Sequence, residues 1–511
     1  MKKFFNTAGA CQPDIHYTVW REEGVKPILA LVEQRKYFTH HAPRQSGKTT
    51  LLRELCRKLN GEGKYLAMHI TVEDAQAAKN NILAAHLAIL DAMQHALSVS
   101  LVQQPESDFP SARVFANELH AVRNCLQVWS KVSNKPIVLV IDEIDSMGGE
   151  SLIALLRQLR AGYDQRPQAF PQSIILNGVR DLKDYRIYSK EEDTWLTGGS
   201  CFNIKAESVR LGNFTLDNVR ELFFQHEQEH GQKLAPGLLE KIYELTQGQP
   251  WLCNALGEQM CHKLFPNDLV LGEKHLHEAK EALILSRATH IDQLYYRLDD
   301  PRIRQIVIPM LAGDSVGHIP AEDIEYAIDL GLLHPDSKTY RIANPLYKEI
   351  LPREMTYTLQ KTITEDPKWY TSPDGKLNYQ KVMDEFVQFW REHGHKEFYI
   401  REISSHILFM AWLQRLVNGG GTIHREYALG RKRLDILVEF AGQKFVSEIK
   451  LYKGPKTLGQ GLNQITEYLD QIGLESGYLM IFKDTIATDD DSRYRIETLT
   501  HQGKTVQVYW L

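Results

Sequence analysis

One junction constrains this chain more than anything else in it. Residues 37–41 (Tyr-Phe-Thr-His-His) have the composition of a short strand and run into Ala42-Pro-Arg-Gln-Ser-Gly-Lys-Thr-Thr50. Leu51, Leu52, Leu55, Cys56 and Leu59 then recur at the spacing of one helix face. A loop between strand and helix gathers backbone N–H groups and the positive end of the helix at one point, which suits a phosphate. Such a loop needs a glycine for close backbone approach, a lysine for the terminal phosphate oxygens and a hydroxyl for Mg²⁺. Gly47, Lys48 and Thr49 supply all three, and Arg44, Gln45, Ser46 and Thr50 complete the cradle. Ala42 stands where G-x-x-x-x-G-K-[ST] has its first glycine. That restricts the loop entrance and leaves the phosphate-facing residues untouched.

A second motif fits the first. Pro136-Ile-Val-Leu-Val-Ile-Asp-Glu-Ile-Asp145 is a continuous apolar run that ends in carboxylates, as a strand buried on both faces would read. Asp142 is placed to hold Mg²⁺, directly or through water, and Glu143 to polarise an attacking water. Asn177, at the end of the next strand (173–178), is placed to sense a γ-phosphate, and Arg180 just beyond it to stabilise charge. Strands alternating with helices predict a parallel sheet covered on both sides. From Thr215 the pattern is helical (216–230, 236–246, 250–264). Residues 290–353 read helix–helix–hairpin, the pattern of a winged helix, and the polar stretch 363–377, with Pro367, Pro373 and Gly375, suits a linker.

The chain has 511 residues, with 60 Lys and Arg against 65 Asp and Glu. That balance excludes a global basic field, so any nucleic-acid site must be a local patch. Six cysteines, none in a C-x-x-C pair, read as buried thiols of a reducing compartment. The N-terminus has no long apolar stretch, and the window 403–417, read as the most apolar helical one, is too short and polar to span a bilayer. The expectation is a cytoplasmic protein without a membrane partner.

The motifs Ala42–Thr50, Val140–Asp145 and Gly178-Val-Arg-Asp181, with Asn6-Thr-Ala-Gly and Pro13-Asp-Ile-His-Tyr17 upstream, resemble the AAA-like/STAND ATPases over residues 1–355. The resemblance implies ATP with Mg²⁺, a G-x-P element opening a lid helix at the nucleotide (Gly248-Gln249-Pro250), a winged helix, and a homo-oligomer through the ATPase domain. The expected fold is α/β and multidomain: a P-loop parallel-sheet ATPase at 1–214, an α-helical lid at 215–285, a winged helix at 286–360, a linker at 361–377 and a second α/β domain at 378–511.

In that last domain Asp435 opens an apolar strand, a turn at 441–443 follows, and Glu448 and Lys450 stand two apart on the next strand, on one face. Two carboxylates and the Ile449 carbonyl are a hard oxygen set for Mg²⁺ or Mn²⁺, and a lysine beside them can orient water and offset charge at phosphorus. The spacing D-x12-E-x-K resembles the PD-(D/E)XK nuclease superfamily, whose α-β-β-β-α-β order fits 397–483. Glu402 corresponds to the family's extra helical carboxylate, and Gln464 and Tyr468 to the Q-x-x-x-Y motif of its RecB-like members. The family's proline before the aspartate is replaced by Leu434. From Gly419 to Gln460 there are eight Lys and Arg against four acids, a local field suited to a phosphate backbone.

His226-Glu-Gln-Glu-His230 fits H-E-x-x-H, but Gly231 follows at once and no third ligand arrives, so it reads as a polar helix face. Asp489–Asp491 reads as a solvated run and His40-His41 as a strand end. The expected function is an ATP-binding and hydrolysing switch coupled to metal-dependent cleavage of nucleic acid, with DNA favoured, in a fusion resembling prokaryotic systems aimed at foreign or mobile DNA. The rivals are a non-cleaving ATP-controlled regulator that binds DNA or protein, and a remodeller of protein partners.

Overall fold

The computed structural model describes residues 2–100, 109–118, 120–181, 186–189, 194–197, 202–286, 289–312, 317–336, 339–355, 370–372, 374–393, 409, 412–413, 422–429, 432–452, 454–483 and 495–511. They divide into two compact units, Met1–Gln293 with Ile319–Tyr347, and Leu294–His318 with Lys348–Leu511. The span 286–360 is thus shared between them. The helix Ala321–Asp329 and the hairpin Leu333–Pro335/Tyr340–Ile342 go with the first unit, and the helix Pro301–Ala312 with the second.

In the first unit five strands, β1 (Tyr37–His41), β2 (Leu66–Thr71), β3 (Ile137–Asp142), β4 (Ser173–Gly178) and β5 (Lys205–Arg210), pair in parallel in the order β2-β3-β4-β1-β5. Helices α1 (Glu22–Glu33) and α2 (Lys48–Glu62) cover one face, and α3 (Ile82–Ser100), α4 (Ala121–Val132) and α5 (Gly149–Ala161) the other. The apolar run in β3 shows why the sheet is sandwiched. Ile137, Leu139 and Ile141 enter the core with Leu90, Trp129 and Leu156, while Val138 and Val140 enter the opposite core with Ile28, Leu52 and Leu55. Among the described residues α3 is the helix long and apolar enough to cross a membrane by length and composition, and the window 403–417 lies almost wholly outside them. Its Ala85, Ile89, Leu90, Met93 and Leu97 are buried in the first core, so its apolarity serves packing.

Helices α6 (Leu216–His230), α7 (Leu238–Thr246), α8 (Pro250–Gly257) and α9 (Glu273–Leu285) follow, and Lys233–Leu234 pairs with Val270–Leu271 among them. The N-terminal segment crosses this bundle. Phe5 packs on Phe223, Tyr17, His226 and His262, and a Cβ at Gly257 would stand 2.6 Å from its ring. Within the H-E-x-x-H segment Gln228 is exposed as a polar face requires, and His226 departs from it. His226 is buried, bonded to the Tyr17 hydroxyl (3.2 Å) and to Gln232 (2.9 Å). The rings of His226, His230 and His262 lie 4.6–5.3 Å apart. The helix does stop at Gly231, whose φ of 72° is the left-handed cap.

The second unit holds a sheet of strands β6 (Thr422–Leu429), β7 (Lys432–Phe440), β8 (Gln443–Leu451), β9 (Ser476–Phe482), β10 (Arg495–His501) and β11 (Lys504–Trp510), in the order β6-β7-β8-β9-β11-β10. β6, β7 and β8 form an antiparallel meander, β8, β9 and β11 run parallel, and β10 returns antiparallel to β11. Helix α11 (Lys456–Ile472) packs Leu462, Ile465 and Leu469 on Val446, Leu479, Ile481 and Val508. We number the preceding helix, Tyr379–His393, α10; sequence periodicity had passed over it. The expected helix 397–417 falls almost wholly outside the described residues.

Burial, with His226 and His230 close by, draws the His262 pKa down to about 4. The unfolded chain, with the ordinary value of about 6.5, then binds the proton more readily, so stability from this group is lost as pH falls from about 6.5 toward 4. Thermal unfolding across that window should show the loss, and His262→Phe should flatten the slope by on the order of 1 kcal/mol at about pH 5. An unchanged slope would remove His262 from the account.

Candidate functional site

The loop after β1 is shaped by two left-handed residues, Gln45 (φ 57°) and Gly47 (φ 82°), so that α2 begins at Lys48. A buried guanidinium clamps it from outside. Arg21 Nη1 donates to the Ser46 carbonyl (2.9 Å), Nη2 donates to that of Gly212, and the group sits 5.3 Å from the Phe214 ring. Burial pulls the Arg21 pKa down to about 10. Lys48 is also buried, and its Nζ donates to the carbonyls of Ala42 (2.8 Å) and Pro43 (3.0 Å). Burial lowers its pKa against the opposing pull of Glu143, Asp142 and Asp145.

Register brings the remaining groups to this loop. Thr71 pairs with Asp142 across β2 and β3, and His40 with Asn177 across β1 and β4. Asp142 Oδ2 accepts from Thr49 Oγ1 (2.8 Å) and lies 3.0 Å from His69 Nε2, while Oδ1 accepts from the Glu143 N–H (2.8 Å) and from Asn177 Nδ2. Burial alone would raise the Asp142 pKa, but the bonds from His69, Asn177 and Thr49 hold it near 2. The Asn177 carbonyl oxygen faces His40 Nδ1 at 2.7 Å, which puts the proton on that nitrogen. Glu143 stands in a left-handed conformation (φ 58°, ψ 39°) that its type rarely adopts. Its pKa is raised by burial and by Asp145 and Asp142.

The structure thus assembles Lys48, Thr49, Asp142, Glu143 and Asn177 in one place. Arg44 is exposed on the loop, and Arg180 is stacked 5.1 Å from the Tyr326 ring. Pro250 opens α8, capped by the Gln249 side chain (2.6 Å to the Leu252 N–H), and Gln249 Nε2 donates to the Gln45 carbonyl (3.3 Å). Gly248 (φ 68°) is obligatory, since a Cβ there would lie 1.9 Å from the Phe214 carbonyl oxygen. Beside the loop is a cavity of about 220 Å³ lined by Asn6, Thr7, Trp20, Phe214, Pro250 and Trp251. The Cys11 N–H donates to Thr50 Oγ1 (3.0 Å) and Trp251 Nε1 to the Thr7 carbonyl (2.9 Å), so the N-terminal segment is a wall of this cavity. A phosphate end at Lys48 and a mostly apolar recess beside it fit a nucleotide, with Thr49 and Asp142 the groups to hold its Mg²⁺. Sequence reasoning missed Arg21 and His69, for which no local pattern exists.

In the second unit Glu448 is wholly buried and Lys450 Nζ donates to its Oε1 at 2.5 Å. Val446 of the same strand packs toward α11, so Glu448 and Lys450 share the α11 side of the sheet. On α11, Gln464 Nε2 donates to the Tyr468 hydroxyl (3.1 Å). Ile449 lies opposite Met480 in the ladder. The register pairing Ile436 with Ser447 puts residue 435 next in line with Glu448. The Asp435 side chain, like all of Glu402, lies outside the described residues. Among the described residues no group of three His, Cys, Asp or Glu side chains is arranged to hold a metal ion.

Residues 38–177 match the model of the ATPase family associated with various cellular activities (AAA). Similar solved structures include the Walker-type ATPase of Pyrococcus abyssi (16% identity, 68% of this chain and 99% of that one, TM-score 0.47). They also include the Aeropyrum pernix ORC2 protein in its ADPNP–ADP complexes (14%, 68% and 96%, 0.41). A third is the Thermotoga maritima RuvB Holliday junction branch migration motor (12%, 65% and 95%, 0.34). No curated protein matches the sequence significantly.

Lys48→Ala should abolish ATP binding in a calorimetric titration. Glu143→Gln should still bind ATP and lose about 10²–10⁴-fold in turnover. A Glu143→Gln protein that hydrolyses ATP at the parent rate would place the base elsewhere.

Proposed function

We propose that this chain, whose residues 38–177 match the AAA ATPase model, is an ATP-driven switch coupled to metal-dependent cleavage of nucleic acid, DNA foremost. The observation that carries the switch is the Asp142 carboxylate, shared by the hydroxyl of Thr49 and the amide of Asn177. Bound Mg²⁺ supplies neutralisation of phosphate charge. Lys48 supplies the ammonium for the terminal phosphate, and Glu143 receives the proton of the attacking water, which its raised pKa favours. Asn177 sits on the strand between β3 and β1 and senses whether the terminal phosphate is there. Helices α6–α9 and the N-terminal segment act as the lid: Gln249 touches the loop and Trp251 the segment, so ordering the nucleotide orders both.

Arg180 is engaged with Tyr326, so a second cation for the transition state is expected from a neighbouring copy, and a homo-oligomer through the ATPase domain belongs to the proposal. The unpaired cysteines Cys56, Cys125, Cys253 and Cys261, all buried, support a cytoplasmic setting.

The nuclease half rests on the buried Glu448–Lys450 pair in a mixed sheet flanked by α11. A buried carboxylate in register with Asp435 is the donor chemistry of a hard divalent ion, and Mg²⁺ or Mn²⁺ bound there would supply Lewis-acid activation of a phosphodiester. Glu448, Asp435 and the Ile449 carbonyl are the groups to hold it, with Glu402 as a further carboxylate. Lys450 offsets charge developing at phosphorus, and Gln464 and Tyr468, bonded to each other along α11, are the supporting pair of the helix. By analogy alone with prokaryotic fusions of this kind, a task directed at foreign or mobile DNA also belongs to the proposal.

Labelled DNA incubated with Mn²⁺ or Mg²⁺, with and without ATP, tests this reading. The parent protein should cut and Lys450→Ala should lose about 10²-fold or more. DNA retained but never cut would leave the non-cleaving regulator.

A further inference from the structure

The second unit carries aromatic and cationic side chains that this chemistry does not use, and the sheet brings them together. In β8, Val446 packs toward α11, and alternation puts Glu448, Lys450 and then Tyr452 on the same side. In β9 the inward pair is Leu479 and Ile481, with Lys483 next in phase. In β11 it is Val506 and Val508, with Trp510 next. These strands run parallel with Lys450 opposite Ile481 and Ile481 opposite Trp510, while Arg495 faces Trp510 from β10. Their ends therefore form one ledge at the carboxyl edge of the sheet, the side on which open α/β sheets bind ligands.

The contacts agree with the register. Lys483 Nζ lies 5.3 Å from the Trp510 ring centroid and 5.8 Å from that of Tyr452. Arg495 lies 5.2 Å from Trp510, whose ring meets Tyr452 at 6.1 Å and 66°. Glu497 accepts from both Trp510 Nε1 (2.7 Å) and Arg495 (2.9 Å), which fixes the indole and the guanidinium together. Trp510 is buried, but Tyr452 is 40% exposed, two residues beyond Lys450.

We propose that Tyr452, Lys483, Trp510 and Arg495 form a stacking ledge that binds single-stranded nucleic acid beside the Glu448–Lys450 pair. The assignment rests on reading the second unit as one that acts on nucleic acid, and it names the strand type. A flat phenol ring with an open face rewards a base whose own face is free, which a single strand offers and a duplex does not. Lys483, beside that ring, meets a phosphate next to the stacked base, and Arg495, across Trp510, lies further along the same edge.

The test is anisotropy of a labelled oligothymidylate with the full chain in EDTA, where no cutting intervenes. Tyr452→Ala should weaken binding about tenfold or more, Tyr452→Trp should bind as the parent does, and Lys483→Ala should weaken binding and lessen its salt dependence. Binding of a duplex of the same length should not respond to Tyr452→Ala. Parent-like affinity in Tyr452→Ala, or an equal loss in Tyr452→Trp, would overturn the ledge. The two readings fail differently. Tyr452-dependent binding without any Mn²⁺-dependent cutting would sustain the ledge and end the nuclease. Cutting with a KM untouched by Tyr452→Ala would do the reverse.

Discussion

The strand ends and the helix that meet at the phosphate loop of the first unit are tied together by one carboxylate. Asp142 sits at the end of an apolar strand with neither oxygen idle: the loop hydroxyl and a β2 histidine share one, and the β4 amide and the next N–H share the other. A buried charge is costly unless such partners surround it, and their bonds to the charged form keep it ionised well below neutrality. The four groups come from α2, β2, β4 and the strand's own end, so one acid fixes the relative height of the strands on either side of it. Replacing any partner would leave a buried charge short of a bond, a larger penalty than the bond itself is worth.

The second constraint is the N-terminal segment. It packs Phe5 and Tyr17 into the helical bundle, bonds to the phosphate-loop helix through Cys11 and Thr50, and walls the cavity beside the loop. A segment with no strand partner in the main sheet is held by rings and side-chain bonds. Its attachment is therefore sensitive to the protonation of the histidines that contact it.

How legible the site was depended on the range of the interaction. The loop, the apolar β3 with its acidic end and the Gly248-Gln-Pro element are local patterns, and the structure assembles these residues at one end of the sheet. Arg21 and His69 are recruited by register and packing across tens to hundreds of residues, and nothing near them in the sequence marks them out; His40 adjoins the loop in sequence, but its partner Asn177 is reached only through the β1–β4 register. His226 read as a surface residue because Glu227, Gln228 and Glu229 follow it, but it continues the buried face of Val219, Leu222 and Phe223, and the N-terminal aromatic residues cover it. Helix α1 carries Pro27 at its sixth position, where the ring forgoes one i→i−4 hydrogen bond, and the burial of Val25, Ile28, Leu31 and Val32 offsets that loss. In the second unit the strand pair bearing Glu448 and Lys450 could be read from alternation, whereas the edge formed by Tyr452, Lys483 and Trp510 depends on which strands lie side by side.

The buried ammonium of Lys48 has one further consequence. Its water was surrendered when the chain folded, and two neutral carbonyl oxygens took the place of that water. An incoming ligand has no hydration shell to strip from this cation and must only outcompete Ala42 and Pro43. A neutral or weakly charged molecule offers no better acceptor than those carbonyls, while a polyphosphate does. The loop thereby acts as a filter on charge density that favours a polyphosphate over an uncharged molecule.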